Sequence, residues 1–244
     1  MQSIDPPPSG VWLLLFAGPL LFLLGIVAAS VLLGARGMAP AAIAERVPLL
    51  MPQILLGVLS VLGLLLVLVA GADLPGIWAW PGAHTVRHVL VGAGAGALLA
   101  LAYVGWLGDA IVRWQQRFGD YVPPGSVLPT LSGSIGVFFL ANVLLAPLVE
   151  ETLYRGYALP LLSDRFGMAA GIALSSVCFG LLHWAGGIWY VLVTAIIAGG
   201  LFAALHAWSG SVWAPYAAHL MLNVIEFHHA WRSSATAMNG GAGG

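Results

Sequence analysis

The chain has 244 residues, of which 60% are hydrophobic and only 7% charged, against roughly 25% charged in an ordinary soluble domain. Eight basic residues, all Arg, and nine acids cannot cover a water-facing surface, so a soluble globular protein is excluded and lipid is the solvent for most of the chain. A net charge of -1 with no basic run also excludes a nucleic-acid partner, because neutralising phosphates needs a Lys/Arg stripe. The expected fold class is all-α: a polytopic membrane protein with the lipid bilayer as its constant partner.

In chain order, Val11 to Ala35 is Leu-rich, uncharged and long enough to cross the hydrocarbon. Its flank, Asp5 followed by Pro6-Pro7-Pro8, is not the basic n-region of a cleaved signal, so the segment is expected to stay in the mature protein. Arg36-Gly37-Met38-Ala39-Pro40 separates it from a second span, Val47 to Gly71. Pro75-Gly76 and Pro81-Gly82 precede a third, His88 to Leu107. Asp109 to Tyr121 carries Arg113, Trp114, Arg117 and Phe118 at helical spacing and reads as an interfacial helix. After Pro123-Pro124-Gly125 come Ser132 to Val149 and three shorter apolar segments, Met168 to His183, Trp189 to His206 and Val212 to Phe227, giving about seven transmembrane helices. The expected division is N-terminal spans and interfacial helix over 1–130, a helical catalytic core over 131–232, and a disordered Gly-rich tail over 233–244. With the N-terminus outside, the loop arginines divide five to three in favour of the cytoplasm.

The informative residues are ionisable groups embedded in apolar sequence, each costing roughly 2.5–3.5 kcal/mol at the centre of an inserted helix. Glu150-Glu151 and Arg155 close the fourth span. On a helix, Glu151 and Arg155 are i,i+4 and can pair, while Glu150 points about 100° away. His183 closes the fifth span with Phe179 one turn before it, and His219 and Asn223 are i,i+4 inside the seventh. Glu150, His183, His219 and Asn223 lie on three spans, and meeting one another is the cheapest way to satisfy their polar groups in hydrocarbon. Glu226, His228, His229 and Arg232 read instead as interfacial groups anchoring a helix end with Trp231.

A carboxylate beside imidazoles in a low-dielectric cavity can hold a water and take its proton, which makes Glu150 the natural general base. His219 and Asn223 are placed to donate to the oxyanion formed when that water attacks a carbonyl. His183 would orient the water, and Glu151 with Arg155 would support the site from behind. The reaction class implied is amide hydrolysis within the membrane. No HExxH and no G-x-S-x-G is present, which removes the common helix-borne zinc and nucleophile-elbow serine chemistries. Zinc held by Glu150, His183 and His219 stays as the minority option, with no cofactor the preferred reading.

These residues resemble the EExxxR, FxxxH and HxxxN/D motifs of the CPBP family, the CAAX-protease and bacteriocin-processing (Abi-type) intramembrane proteases. The motifs are Glu150-Glu151 with Arg155, Phe179 with His183, and His219 with Asn223, in the family's order and spacing over Ala141 to Phe227. The resemblance implies a glutamic intramembrane endopeptidase with its active site in a cavity between helices. Similar proteins cleave prenylated C-terminal peptides, process bacteriocins or act on C-terminal sorting tails, and the substrate expected here is a membrane-anchored protein or peptide cut near its C-terminal tail, ahead of prenyl processing. A non-proteolytic membrane scaffold or bacteriocin-immunity protein is the alternative. Abundant Ala, Gly and Arg without Lys points to a GC-rich bacterial source and an inner-membrane location.

Overall fold

The computed structural model describes residues 9–80, 82–120 and 135–240. Thirteen α-helices follow in chain order: α1 (Ser9–Ala35), α2 (Pro40–Leu49), α3 (Met51–Leu68), α4 (Leu74–Ile77), α5 (Thr85–Ala102), α6 (Gly108–Phe118), α7 (Ile135–Phe138), α8 (Ala146–Glu151), α9 (Leu159–Phe166), α10 (Met168–Leu182), α11 (Ile188–Val193), α12 (Gly200–Ser209) and α13 (Trp213–Gly240). Among the described residues four π-helical stretches join neighbours into longer rods: Tyr103–Leu107, Phe139–Leu145, Thr152–Ala158 and Thr194–Gly199. No strand occurs among the described residues, as a chain dissolved in lipid requires when every backbone group must be satisfied within its own helix.

Among the described residues five helical rods are long and apolar enough to cross a membrane: Gly10–Ala35, Met51–Leu68, Thr85–Phe118, Ile135–Phe166 and Ile188–Ser209. The chain is therefore an integral membrane protein of all-α class, and the expectation of seven spans is not met by this measure. The fifth expected span is α10, whose 15 residues extend about 22 Å, short of the ~30 Å hydrocarbon core. The seventh lies in α13, whose apolar pattern is interrupted by His219, Asn223, Glu226, His228, His229 and Arg232. The expected interfacial helix is also not separate. Through Tyr103–Leu107, α6 continues α5 as one rod, since no proline occurs between Thr85 and Phe118. The expected tail is helical as far as Gly240. Residues 241–244, the Asp5-Pro8 flank, Pro81, Tyr121, the Pro123-Pro124-Gly125 break and the start of the fourth span at Ser132 lie outside the described residues.

Leu13, Leu20, Leu24, Leu32, Leu90 and Leu98 are exposed, as lipid-facing residues are. The interior is one cluster drawn from both halves of the chain, with Val11, Leu14, Leu66 and Ala100 packed with Leu153, Phe179, Phe202 and Ala218. The closest approach is between α5 and α13. A Cβ on Gly92 would meet the backbone of Ala214, and one on Gly96 the backbone of Ala218. Two glycines one turn apart let the helices touch backbone to backbone, the small-residue packing that drives association in lipid. That contact fixes α13 immediately before His219.

Candidate active site

Arg155 is the largest fully buried side chain, and the groups around it organise the site. It lies in the π-helical stretch after α8, and its Nη1 donates to Glu151 Oε1 at 3.2 Å. Its Nη2 donates to the carbonyl of Gly199 at 3.1 Å, tying the fourth rod to the Ile188–Ser209 rod. The guanidinium lies 4.3 Å from the centroid of the Phe179 ring and 5.4 Å from that of Phe202. Those faces stabilise a desolvated cation. Phe179 thus does more than share a helix face with His183, since it also packs edge-on against Tyr154 and His219.

Glu151 has a second partner that the i,i+4 pattern does not reveal. His219 Nδ1 lies 2.9 Å from the same Oε1 that Arg155 engages, and the His219 ring stacks on Phe202 at 4.8 Å. His183 Nδ1 is 2.9 Å from the carbonyl of Phe179. Because a carbonyl only accepts, Nδ1 carries the hydrogen, and Nε2 is left as an acceptor. Asn223 Nδ2 donates to the carbonyl of Asn142 at 2.7 Å, in the π-helical stretch Phe139–Leu145. Its second N–H remains available.

His183, His219 and Asn223 line a common cavity of about 70 Å³, room for a few waters. Glu150 does not line it. That carboxylate is 4% exposed, its Oε2 makes no hydrogen bond, and it lies within electrostatic reach of Arg155, Tyr154 and Tyr190. The structure therefore gathers three of the four expected site residues around one cavity and sets the fourth beside it.

The cavity also has polar walls that the sequence reading did not assign: Tyr103, Tyr190, Thr194 and Glu226. Glu226, expected at the interface with His228 and His229, lines the cavity, while His228 and His229 are exposed. The signal was present in the spacing, because Glu226 follows His219 by seven residues and so returns to the same helix face. Among the described residues no group of three or more His, Cys, Asp or Glu is placed to hold a metal ion. Glu150, His183 and His219 do not form a donor set in this arrangement.

Comparison with known proteins places a boundary around this region. Residues 132–225 match the family described as Rce1-like, type II CAAX prenyl endopeptidase Rce1-like. No curated protein and no solved structure matches the chain. The matched residues include Glu150, Glu151, Arg155, Phe179, His183, His219 and Asn223, and they end just before Glu226.

Proposed function

We propose, from the match of residues 132–225 to the Rce1-like type II CAAX prenyl endopeptidase family, that this integral membrane protein hydrolyses a peptide bond of a membrane-anchored substrate near its C-terminal tail. The observation that carries the reading is the cavity lined by His183, His219 and Asn223 within the matched segment. The catalytic unit is the core 131–232, and the setting is a bacterial inner membrane.

In this mechanism Glu150 removes a proton from water, and the resulting hydroxide attacks the scissile carbonyl carbon. Two features support Glu150 in that role. Its Oε2 has no hydrogen-bond partner among the described residues, and Tyr190, which lines the cavity, is within its electrostatic reach. A side-chain rotation or one bridging water connects the carboxylate to the cavity, a tightening expected when substrate binds. His183 Nε2, an acceptor by the tautomer argument, orients the water. The oxyanion accepts from the second N–H of Asn223 and from His219 Nε2. For His219 to donate there while its Nδ1 bonds Glu151, both ring nitrogens must carry hydrogen, with Glu151 accepting from Nδ1. The proton held by Glu150 then passes to the leaving nitrogen as the C–N bond breaks, giving a carboxylic acid and an amine. Neither a metal nor another cofactor takes part.

The test is mass-spectrometric mapping of membrane-protein termini in cells carrying either wild type or Glu150→Gln at matched expression. New C-termini in wild type alone are expected, with identical termini refuting proteolysis. Purified enzyme should also keep its turnover after exhaustive chelation, and loss restored by zinc would replace the glutamic mechanism with a metal one.

A further inference from the structure

The proposed mechanism leaves one ionisable group in the cavity without a task. Glu226 is half-buried on α13, it lines the cavity, and no hydrogen bond or salt bridge engages it among the described residues. Tyr103 and Tyr190 line the same cavity as Glu226 and bring hydroxyl groups to its wall. A carboxylate in such surroundings is costly unless a partner arrives. Among the described residues no Arg lines the cavity: Arg155 is committed to Glu151 and the Gly199 carbonyl, and the His219 imidazolium is committed to Glu151. The partner must then come from the molecule that enters the cavity.

We propose that Glu226, flanked by the Tyr103 and Tyr190 hydroxyls, is a specificity subsite that binds a basic side chain of the substrate. The inference rests on the endopeptidase reading and deepens it by naming a substrate feature. Distance sets the position. Seven residues of helix separate His219 from Glu226, about 10 Å along the axis at 1.5 Å per residue. An extended peptide covers that in roughly three residues at ~3.3 Å each. The subsite therefore accepts Lys or Arg two or three residues from the scissile bond, with the phenol hydroxyls accepting the ammonium or guanidinium hydrogens that Glu226 does not. The rest of the wall, Leu99, Val193, Ile197 and Leu222, suits apolar neighbours of that residue.

The experiment uses full-length protein in lipid nanodiscs and fluorescein-labelled apolar peptides in which a single position, scanned along the chain, is Lys, Gln or norleucine. Wild type should bind the best Lys peptide at least about tenfold more tightly than its Gln and norleucine counterparts, as a desolvated charge pair does. In Glu226→Gln that ratio should fall to about one, and in Glu226→Asp it should stay intermediate. Wild type that binds the three peptides equally at every position overturns the subsite without recourse to any variant. A Lys preference that survives in monodisperse Glu226→Gln overturns it as well. Cleavage is read on the same peptides. Turnover without Lys preference removes the subsite and leaves the endopeptidase. Lys preference without turnover of any peptide keeps the subsite and removes the endopeptidase.

Discussion

A fully buried arginine inside a membrane protein is a structural commitment, and Arg155 discharges it through Glu151, the Gly199 carbonyl and the faces of Phe179 and Phe202. Removing the guanidinium leaves Glu151, itself fully buried, with His219 alone. Breaking one side of such a pair costs about 3–5 kcal/mol. Arg155→Ala should lower the thermal midpoint in detergent sharply and abolish cleavage with it; an unchanged midpoint would show that the pair carries no stability. Glu150→Gln should behave in the opposite sense. Its Oε2 has no bond to lose, so the midpoint should stay near wild type while single-turnover cleavage disappears. The pair of variants separates the group that holds the site from the group that acts in it.

At the scale of elements, α13 is positioned by glycines rather than by its own polar residues. Gly92 and Gly96 sit against the backbones of Ala214 and Ala218, so a larger residue there meets main chain, which cannot rotate away. Gly96→Val should push His219 from Glu151 and cost about 1–3 kcal/mol by overpacking. Gly94→Val, where a Cβ has open space, is the control that should leave stability and cleavage intact. A thermal melt and a cleavage assay on both variants check the contrast. The same elements show what the sequence revealed. Residues at i,i+4 spacing on one helix were legible, so Glu151–Arg155 pairing was foreseen, and so was the shared face of His219 and Asn223. Contacts set by how rods cross were not, since no spacing rule links Glu151 to His219 across 68 residues or Asn223 to Asn142 across 81. Helix length misled in a different way. An apolar run marks burial in lipid or in protein alike, and α10 reads as a span although it is shorter than the bilayer.

For the molecule as a whole, that shortness has a thermodynamic counterpart. The helix bearing Phe179 and His183 extends about 22 Å, and matching it to the hydrocarbon favours a locally thin bilayer. Mismatch costs fractions of a kcal/mol per Å. Turnover and thermal midpoint, measured in vesicles of short-, medium- and long-chain phosphatidylcholine, should be highest in the thinner membranes and fall as the chains lengthen. A flat profile would mean that the flanking helices shield α10 from lipid. The strapping of the His183 loop belongs to the same scale. Gln115 on α6 donates to the Gly186 carbonyl at 2.6 Å, and the Trp189 N–H donates to Asp120 at 3.1 Å. The N-terminal rods thereby hold the loop that ends at the cavity.

The π-helical stretches on either side of Glu150-Glu151, Phe139–Leu145 and Thr152–Ala158, are each what one extra residue makes of an α-helix. They are therefore removable one codon at a time. Deleting a single residue before α8 would restore ordinary winding and rotate the Asn142 side of the rod by about 100° relative to Glu151. The Asn223 anchor would move away while the helix, its length and its hydropathy stayed intact. Descendants of such a deletion would keep every motif residue at its spacing within the motif, insert normally and cut nothing. A membrane-inserted relative without protease activity would then differ from this chain by a gap rather than by a substitution.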